Sequence, residues 1–143
     1  MCDDALVTYL GCSISAEEEG VTYVNQPEFV RKLLEDFNDG PSGPVKERSA
    51  PAPVDLMTVD DESPILGHEG EKYFRSMLMR VAFLVNTTRV DLKIVLMALS
   101  RRMHCATVQD MTRLAHLVGY IAKTADFGIT IRPGAGALHV YAY

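Results

Sequence analysis

Three groups of residues in this sequence are of types that do chemistry. Asp3 and Asp4 are adjacent carboxylates, the kind that hold a divalent cation, but no recognisable motif places a third acid with them and they stand at the chain end. His104, Cys105 and His116 are of types that ligate zinc, yet the other cysteines are only Cys2 and Cys12 and no C-x-x-C pair occurs. We expect neither group to bind a metal, and read the second as helix-end and surface residues. No G-x-S-x-G, Walker or G-x-G-x-x-G pattern is present, and Gly134-Ala135-Gly136 falls in a turn instead of before a helix. No catalytic set is complete, so no enzyme activity and no cofactor is expected.

The third group is cationic. The chain has 143 residues and a net charge of -5, but residues 1–71 hold 4 Lys/Arg against 16 Asp/Glu, whereas residues 72–123 hold 9 against 2. A basic middle follows an acidic front. Arg75, Arg80, Arg89, Lys93, Arg101, Arg102, Arg113 and Lys123 could therefore meet phosphate, or could simply solvate helix surfaces.

Composition narrows the class. With 48% hydrophobic and 23% charged residues the chain has the balance of an ordinary globular domain. The longest apolar run, residues 94–99, is far short of the roughly 20 residues a membrane span needs. The acidic opening Met1-Cys2-Asp3-Asp4 reads as neither a secretory signal nor a transit peptide. An odd number of unpaired cysteines points to an intracellular, reducing compartment, without identifying which one.

The elements that must position these residues follow from periodicity. Leu6, Tyr9, Leu10, Cys12 and Ile14 alternate in part, and Val21-Thr22-Tyr23-Val24 follows Glu17-Glu18-Glu19-Gly20, which predicts a β-hairpin. Asn25-Gln26-Pro27-Glu28 reads as the start of a helix carrying Phe29, Val30, Leu33, Leu34 and Phe37, which ends near residues 38–40. Residues 40–64 include Pro41, Pro44, Pro51, Pro53 and Pro64, with few apolar residues to repay ordering. They read as a connector, lying over a surface or mobile, between two folded halves.

The second half is helical. Phe74, Met77, Leu78, Val81, Leu84 and Val85 form a stripe that predicts a helix over 69–86. Thr88-Arg89-Val90-Asp91 matches a capping box opening a helix over 89–103, apolar on nearly every face and so expected to be the most buried. Thr107-Val108-Gln109-Asp110 matches a second box, opening a helix over 107–125 with Met111, Leu114, Ala115, Val118, Ile121 and Ala122 on one side. Residues 128–132 and 138–141, around Pro133-Gly134-Ala135-Gly136, predict a closing hairpin. The class is α+β, with an N-terminal hairpin and helix (1–39), a Pro-rich connector (40–68), a three-helix cluster (69–126) and a C-terminal hairpin (127–143).

Several of these segments resemble one family in order and spacing. Phe74-Arg75-Ser76-Met77-Leu78-Met79-Arg80-Val81-Ala82-Phe83-Leu84, then Thr88-Arg89-Val90-Asp91-Leu92, resembles the Y-R-S-L-V-G-S-L-M-Y-L and T-R-P-D-I of copia-type retrotransposon reverse transcriptases. Thr8-Tyr9-Leu10-Gly11-Cys12-Ser13-Ile14 is similar to that family's Y-F-L-G-I-E-I strand. Phe29-Val30-Arg31-Lys32-Leu33-Leu34-Glu35-Asp36-Phe37 is similar to its Y-I-x-K-L-L-E-R-F helix. Tyr120-Ile121 and Asp126-Phe127-Gly128-Ile129 resemble Y-L-K-G-T-K-D-Y-G-L.

The resemblance implies the end of the palm, the thumb and the connection into ribonuclease H. It implies a primer grip at Leu10, Gly11 and Cys12, and a helix that tracks the template-primer minor groove through Arg75, Met79 and Phe83, which lie on one face at i, i+4, i+8. The family's metal-binding aspartates lie upstream, since Asp3-Asp4 stand too close to Tyr9-Leu10-Gly11 to be its Tyr-Val-Asp-Asp pair. Leu138-His139-Val140-Tyr141 resembles the first ribonuclease H strand, and the chain stops at or before that domain's first catalytic acid.

The departures bear on binding. Met79 stands where the family has a glycine that lets the helix approach a duplex, Val90 replaces a proline, Met111 a tryptophan, and Ala115-His116 a basic pair. The expectation that the resemblance supports is a non-catalytic thumb-and-connection module with a protein partner in a larger protein or ribonucleoprotein assembly, with RNA or an RNA–DNA hybrid as the other partner class. The alternative is a fragment of a working polymerase that grips an RNA–DNA hybrid.

Overall fold

A tight turn divides the first apolar segment. In the computed structural model, which describes residues 6–134, Leu10 and Gly11 have φ of 49° and 79°. Two left-handed residues in succession are what a two-residue hairpin turn of the I′ kind needs. The segment expected to be one strand is therefore two, β1 (Val7–Tyr9) and β2 (Cys12–Ala16), with Val7 opposite Ile14 and Tyr9 opposite Cys12. Gly11 adopts this conformation freely, whereas Leu10 does so at a cost of about 1–2 kcal/mol.

After a 3-10 turn at Glu18–Gly20, β3 (Thr22–Asn25) pairs antiparallel with β2, Ile14 facing Val24. The expected two-stranded hairpin is thus a three-stranded meander. Its fourth strand, β4 (Ile129–Ile131), arrives from the far end of the chain and pairs with β3, Val24 opposite Ile129. The sheet order is β1-β2-β3-β4, all antiparallel. This corrects the expectation of separate sheets at the two ends, because the observed partner of the 128–132 segment is β3. The other expected strand, 138–141, lies outside the described residues, as do Cys2, Asp3 and Asp4.

Gly128 makes this closure possible. A Cβ there would stand 2.0 Å from the Val24 carbonyl oxygen, so only glycine lets the chain enter the sheet at this point. Beside it, the Asp126 carbonyl accepts hydrogen bonds from the Tyr23 hydroxyl and, at 3.2 Å, from Asn25 Nδ2.

Four helices carry the core: α1 (Pro27–Asn38), α2 (His68–Thr87), α3 (Lys93–Ser100) and α4 (Val108–Lys123). Pro27 occupies the first turn of α1, where its missing N–H costs nothing. All six residues of the expected α2 stripe are buried. They pack with Val30, Leu33 and Phe37 of α1, Leu92, Val95, Leu96 and Leu99 around α3, and Leu114, Leu117, Val118 and Ile121 of α4. One core therefore joins helices on both sides of the connector. No helix among the described residues is long and apolar enough to cross a membrane.

Two expectations about the middle of the chain are corrected. The helix expected over 89–103 begins as a 3-10 turn at Val90–Leu92, and its α-helical part is α3. It is buried on one side only: Ile94 is 68% exposed and Met97 51% exposed. The more enclosed helix is α4, which buries polar as well as apolar residues. The second correction concerns Thr88 and Asp91, which do not cap a helix: the Thr88 hydroxyl donates to Gln26 Oε1 at 2.9 Å, and Asp91 faces Arg89. By contrast the box at α4 forms as expected. Asp110 N–H donates to Thr107 Oγ1 at 3.3 Å, and Thr107 N–H donates to Asp110 Oδ2 at 2.9 Å.

Candidate functional site

Because α2 buries one stripe, the opposite side of the helix is set by the same period. Arg75, Met79 and Phe83 all lie there, Met79 at 56% and Phe83 at 49% exposure. The Arg75 guanidinium donates to Glu71 Oε1 at 2.7 Å, one turn back along the helix. The Phe83 ring packs against Phe29 of α1 with centroids 5.1 Å apart and planes tilted by 51°. The result is a surface with an apolar centre, Met79, Phe83 and Phe29, and the cations Lys72 and Arg75 toward the helix N-terminus. Arg80, on the flank of the helix, is paired with Asp36 of α1.

The remaining cations divide sharply. Arg89 is 1% exposed: Nε and Nη2 both donate to the Asp91 carboxylate at 3.0 Å, and Nη1 donates to the Thr124 carbonyl at 3.0 Å. Its guanidinium also lies 5.8 Å from the Tyr120 ring centroid and 5.5 Å from that of Phe127. Arg113 is buried too, donating to the Asp55 and Thr58 carbonyls at 2.6 and 2.7 Å and to Asp110 at 3.4 Å. Neither is on a surface that could reach phosphate, which corrects the expectation for both. Each is instead bonded to backbone carbonyl and carboxylate oxygens of its own chain.

Arg102 is partly turned inward, with Nε 3.2 Å from the buried Asp110. Lys93 is exposed at the start of α3 and Arg101 just past its end, Lys93 donating to Asn86 Oδ1 at 2.6 Å, and Lys123 is exposed on α4, donating to Ser49 Oγ at 3.3 Å. The first hairpin separates its three residues likewise: Leu10 and Gly11 are exposed at the tip, while Cys12 is buried.

The connector is the part that sequence reasoning under-read. It is a strap laid along α4 in the opposite direction. Arg48 N–H donates to the Gly119 carbonyl at 3.2 Å, Arg113 holds Asp55 and Thr58, and Val108 N–H donates to the Pro64 carbonyl at 2.9 Å. Gly119 sets the spacing, since a Cβ there would stand 2.1 Å from the Lys46 carbonyl oxygen. Between the strap, α4 and the start of α2 lies a cleft of about 480 Å³, whose walls include Lys46, Arg48 and His116. Of these only His116 was singled out from sequence. The signal for the others, two cations in a Pro-rich stretch, is no different from that of an ordinary surface.

Chemically, these features suit binding. Among the described residues no group of three His, Cys, Asp or Glu is placed to hold a metal ion, and His104 and Cys105 are exposed at the turn before α4. Burial, with Asp36 nearby, pushes the Tyr73 hydroxyl above its usual range, and among the described residues that hydroxyl has no hydrogen-bond partner. Compared with known proteins, the chain matches no family model, no curated protein and no solved structure.

Proposed function

We propose that this chain is a non-catalytic binding module of reverse-transcriptase thumb-and-connection type, whose outer α2 face engages a protein partner. The reading rests on the sequence motifs for its ancestry and on one observation for its partner. That observation is the apolar centre of the α2 face, where Met79 and Phe83 stand half exposed beside Phe29. Side chains of this kind, with cations at the rim, fit the core-and-rim anatomy of a protein interface. The fitting partner is a segment with an apolar anchor for Met79 and Phe83 and acidic residues facing Lys72 and Arg75.

The nucleic-acid reading has an observation in its favour, the exposed cations Lys72, Arg75, Lys93 and Arg101 on α2 and around α3. Two of the arginines that would strengthen it, Arg89 and Arg113, are buried, and Met79 occupies the line of approach. A duplex packed against this helix meets the Met79 side chain before it meets the backbone. Met79→Gly therefore tests the reading. The variant should bind an RNA–DNA hybrid measurably better than the weakly binding parent, provided that circular dichroism shows the helix intact, because glycine costs a helix about 1 kcal/mol. Tight binding by the parent, unimproved in the variant, would favour the nucleic-acid reading instead. Neither protein should incorporate nucleotides on a primed template or cleave the RNA of a hybrid.

A further inference from the structure

We propose that the cleft between the strap and α4 is a binding site for a small amphipathic carboxylate, an apolar tail ending in one negative charge. Its volume of about 480 Å³ lies within the range of small-molecule sites, roughly 300–1,000 Å³. Phe37, Leu66, Met111 and Ala115 line it with hydrocarbon, and Pro41 and Pro44 stiffen the strap on the other side. Such walls accept an alkyl or aryl body.

Charge decides the other end of the ligand. The ionisable residues that line the cleft are Lys46, Arg48 and His116, and none is acidic; Glu47, between the two cations in sequence, does not line it. In a chain of net charge -5 this is a local reversal of sign. Among the described residues Lys46 and Arg48 enter no ion pair, which leaves both charges available to an anion. Both residues are exposed, on a strap whose backbone is fixed. The strap is pinned by the Arg48 N–H bond to Gly119, and His116 Nε2 lies 3.1 Å from the Ala50 carbonyl, which it can only be donating to. A carboxylate at this end would gain charge-assisted hydrogen bonds from Lys46 and Arg48. None of these residues belongs to the α2 face proposed for the protein partner, so the two sites stand or fall separately.

The test uses three eight-carbon probes, octanoate, octanol and octylamine, titrated into the full chain and followed by amide chemical shifts. Octanoate should bind with shifts centred on 44–48 and 111–116, about tenfold or more tighter than octanol, as expected for hydrogen bonds to a charged group. Octylamine should bind no better than octanol. The Lys46→Gln/Arg48→Gln double variant, altered only at the surface, should bind octanoate and octanol alike. Thr112→Trp, an exposed position in the wall, should weaken both. Absence of octanoate binding, shifts centred elsewhere, equal affinity for all three probes, or a preference for octylamine would each overturn the proposal.

Discussion

The Arg89 guanidinium donates to the Thr124 carbonyl at 3.0 Å, so a residue at the end of α2 caps the end of α4. The same side chain grips Asp91 with two parallel bonds and lies against Tyr120 and Phe127. It is a core residue that happens to be charged. Arg89→Lys keeps the charge but cannot make the forked contact and reach Thr124 at once. We expect it to lower stability by about 2–4 kcal/mol, from lost charged hydrogen bonds in a buried place, with the loss read in urea unfolding. An unchanged midpoint would show that the arginine is not held as described.

The one-sided burial of α3 gives a contrast within a single helix. Leu96→Ala removes a buried side chain and should cost about 2–5 kcal/mol. Ile94→Ala and Met97→Ala, on the exposed side, should each change stability by less than about 0.5 kcal/mol. Equal losses at Leu96 and Ile94 would mean that the helix is enclosed all round.

Gly119 offers a test of the strap. Alanine in place of glycine ordinarily stabilises a helix interior by about 1 kcal/mol. Here the added methyl would press on the Lys46 carbonyl, so we expect a net loss of about 1–3 kcal/mol, together with faster hydrogen exchange at the Arg48 amide. A stabilised variant with normal exchange would place the strap further from α4.

Tyr73 links stability to pH. Its hydroxyl has no partner among the described residues, and burial raises its pKa above the usual 10.0, so folding favours the neutral form. Whatever stability this favours is fully present below pH 10 and is lost as pH rises through the higher folded-state value. Tyr73→Phe should therefore be neutral or slightly stabilising at pH 7, by up to about 1 kcal/mol, and should lose less stability than the parent between pH 9 and 11. Parallel pH profiles would show the hydroxyl to be solvated.

How much of this was legible in the sequence depends on how local each feature is. The α2 stripe was read in full because a 3.6-residue period carries its own evidence. The pairing of β4 with β3 spans about a hundred residues, and its one local sign, a glycine at 128, does not say which strand it must approach. Thr88-Arg89-Val90-Asp91 has the letters of a capping box, but Gln26 and Arg89 claim its two end residues. The strap is held both by polar bonds to Gly119, Arg113 and Val108 and by Val45, Ala52 and Leu56 packed on the core, contacts that its scattered apolar residues did not announce. For the candidate site, the resemblance named Arg75, Met79 and Phe83 and their spacing put them on one helix face; that this face is exposed comes from the structure. Arg89 and Arg113 were not recognised as core residues, since nothing in a list of cations tells a buried one from a free one.

The central claim, that the α2 face serves a protein partner and not a duplex, is tested most directly by the salt dependence of hybrid binding. Affinity of the parent chain for an RNA–DNA hybrid is measured across a range of salt concentrations and plotted as logarithms. With Arg89 and Arg113 buried and Met79 in the way, we expect weak binding at every salt concentration and a slope shallower than about -2, corresponding to no more than about two phosphate contacts. Tight binding with a slope of about -3 to -4.5, the signature of three to five phosphate contacts, would contradict the account and make the chain a nucleic-acid grip.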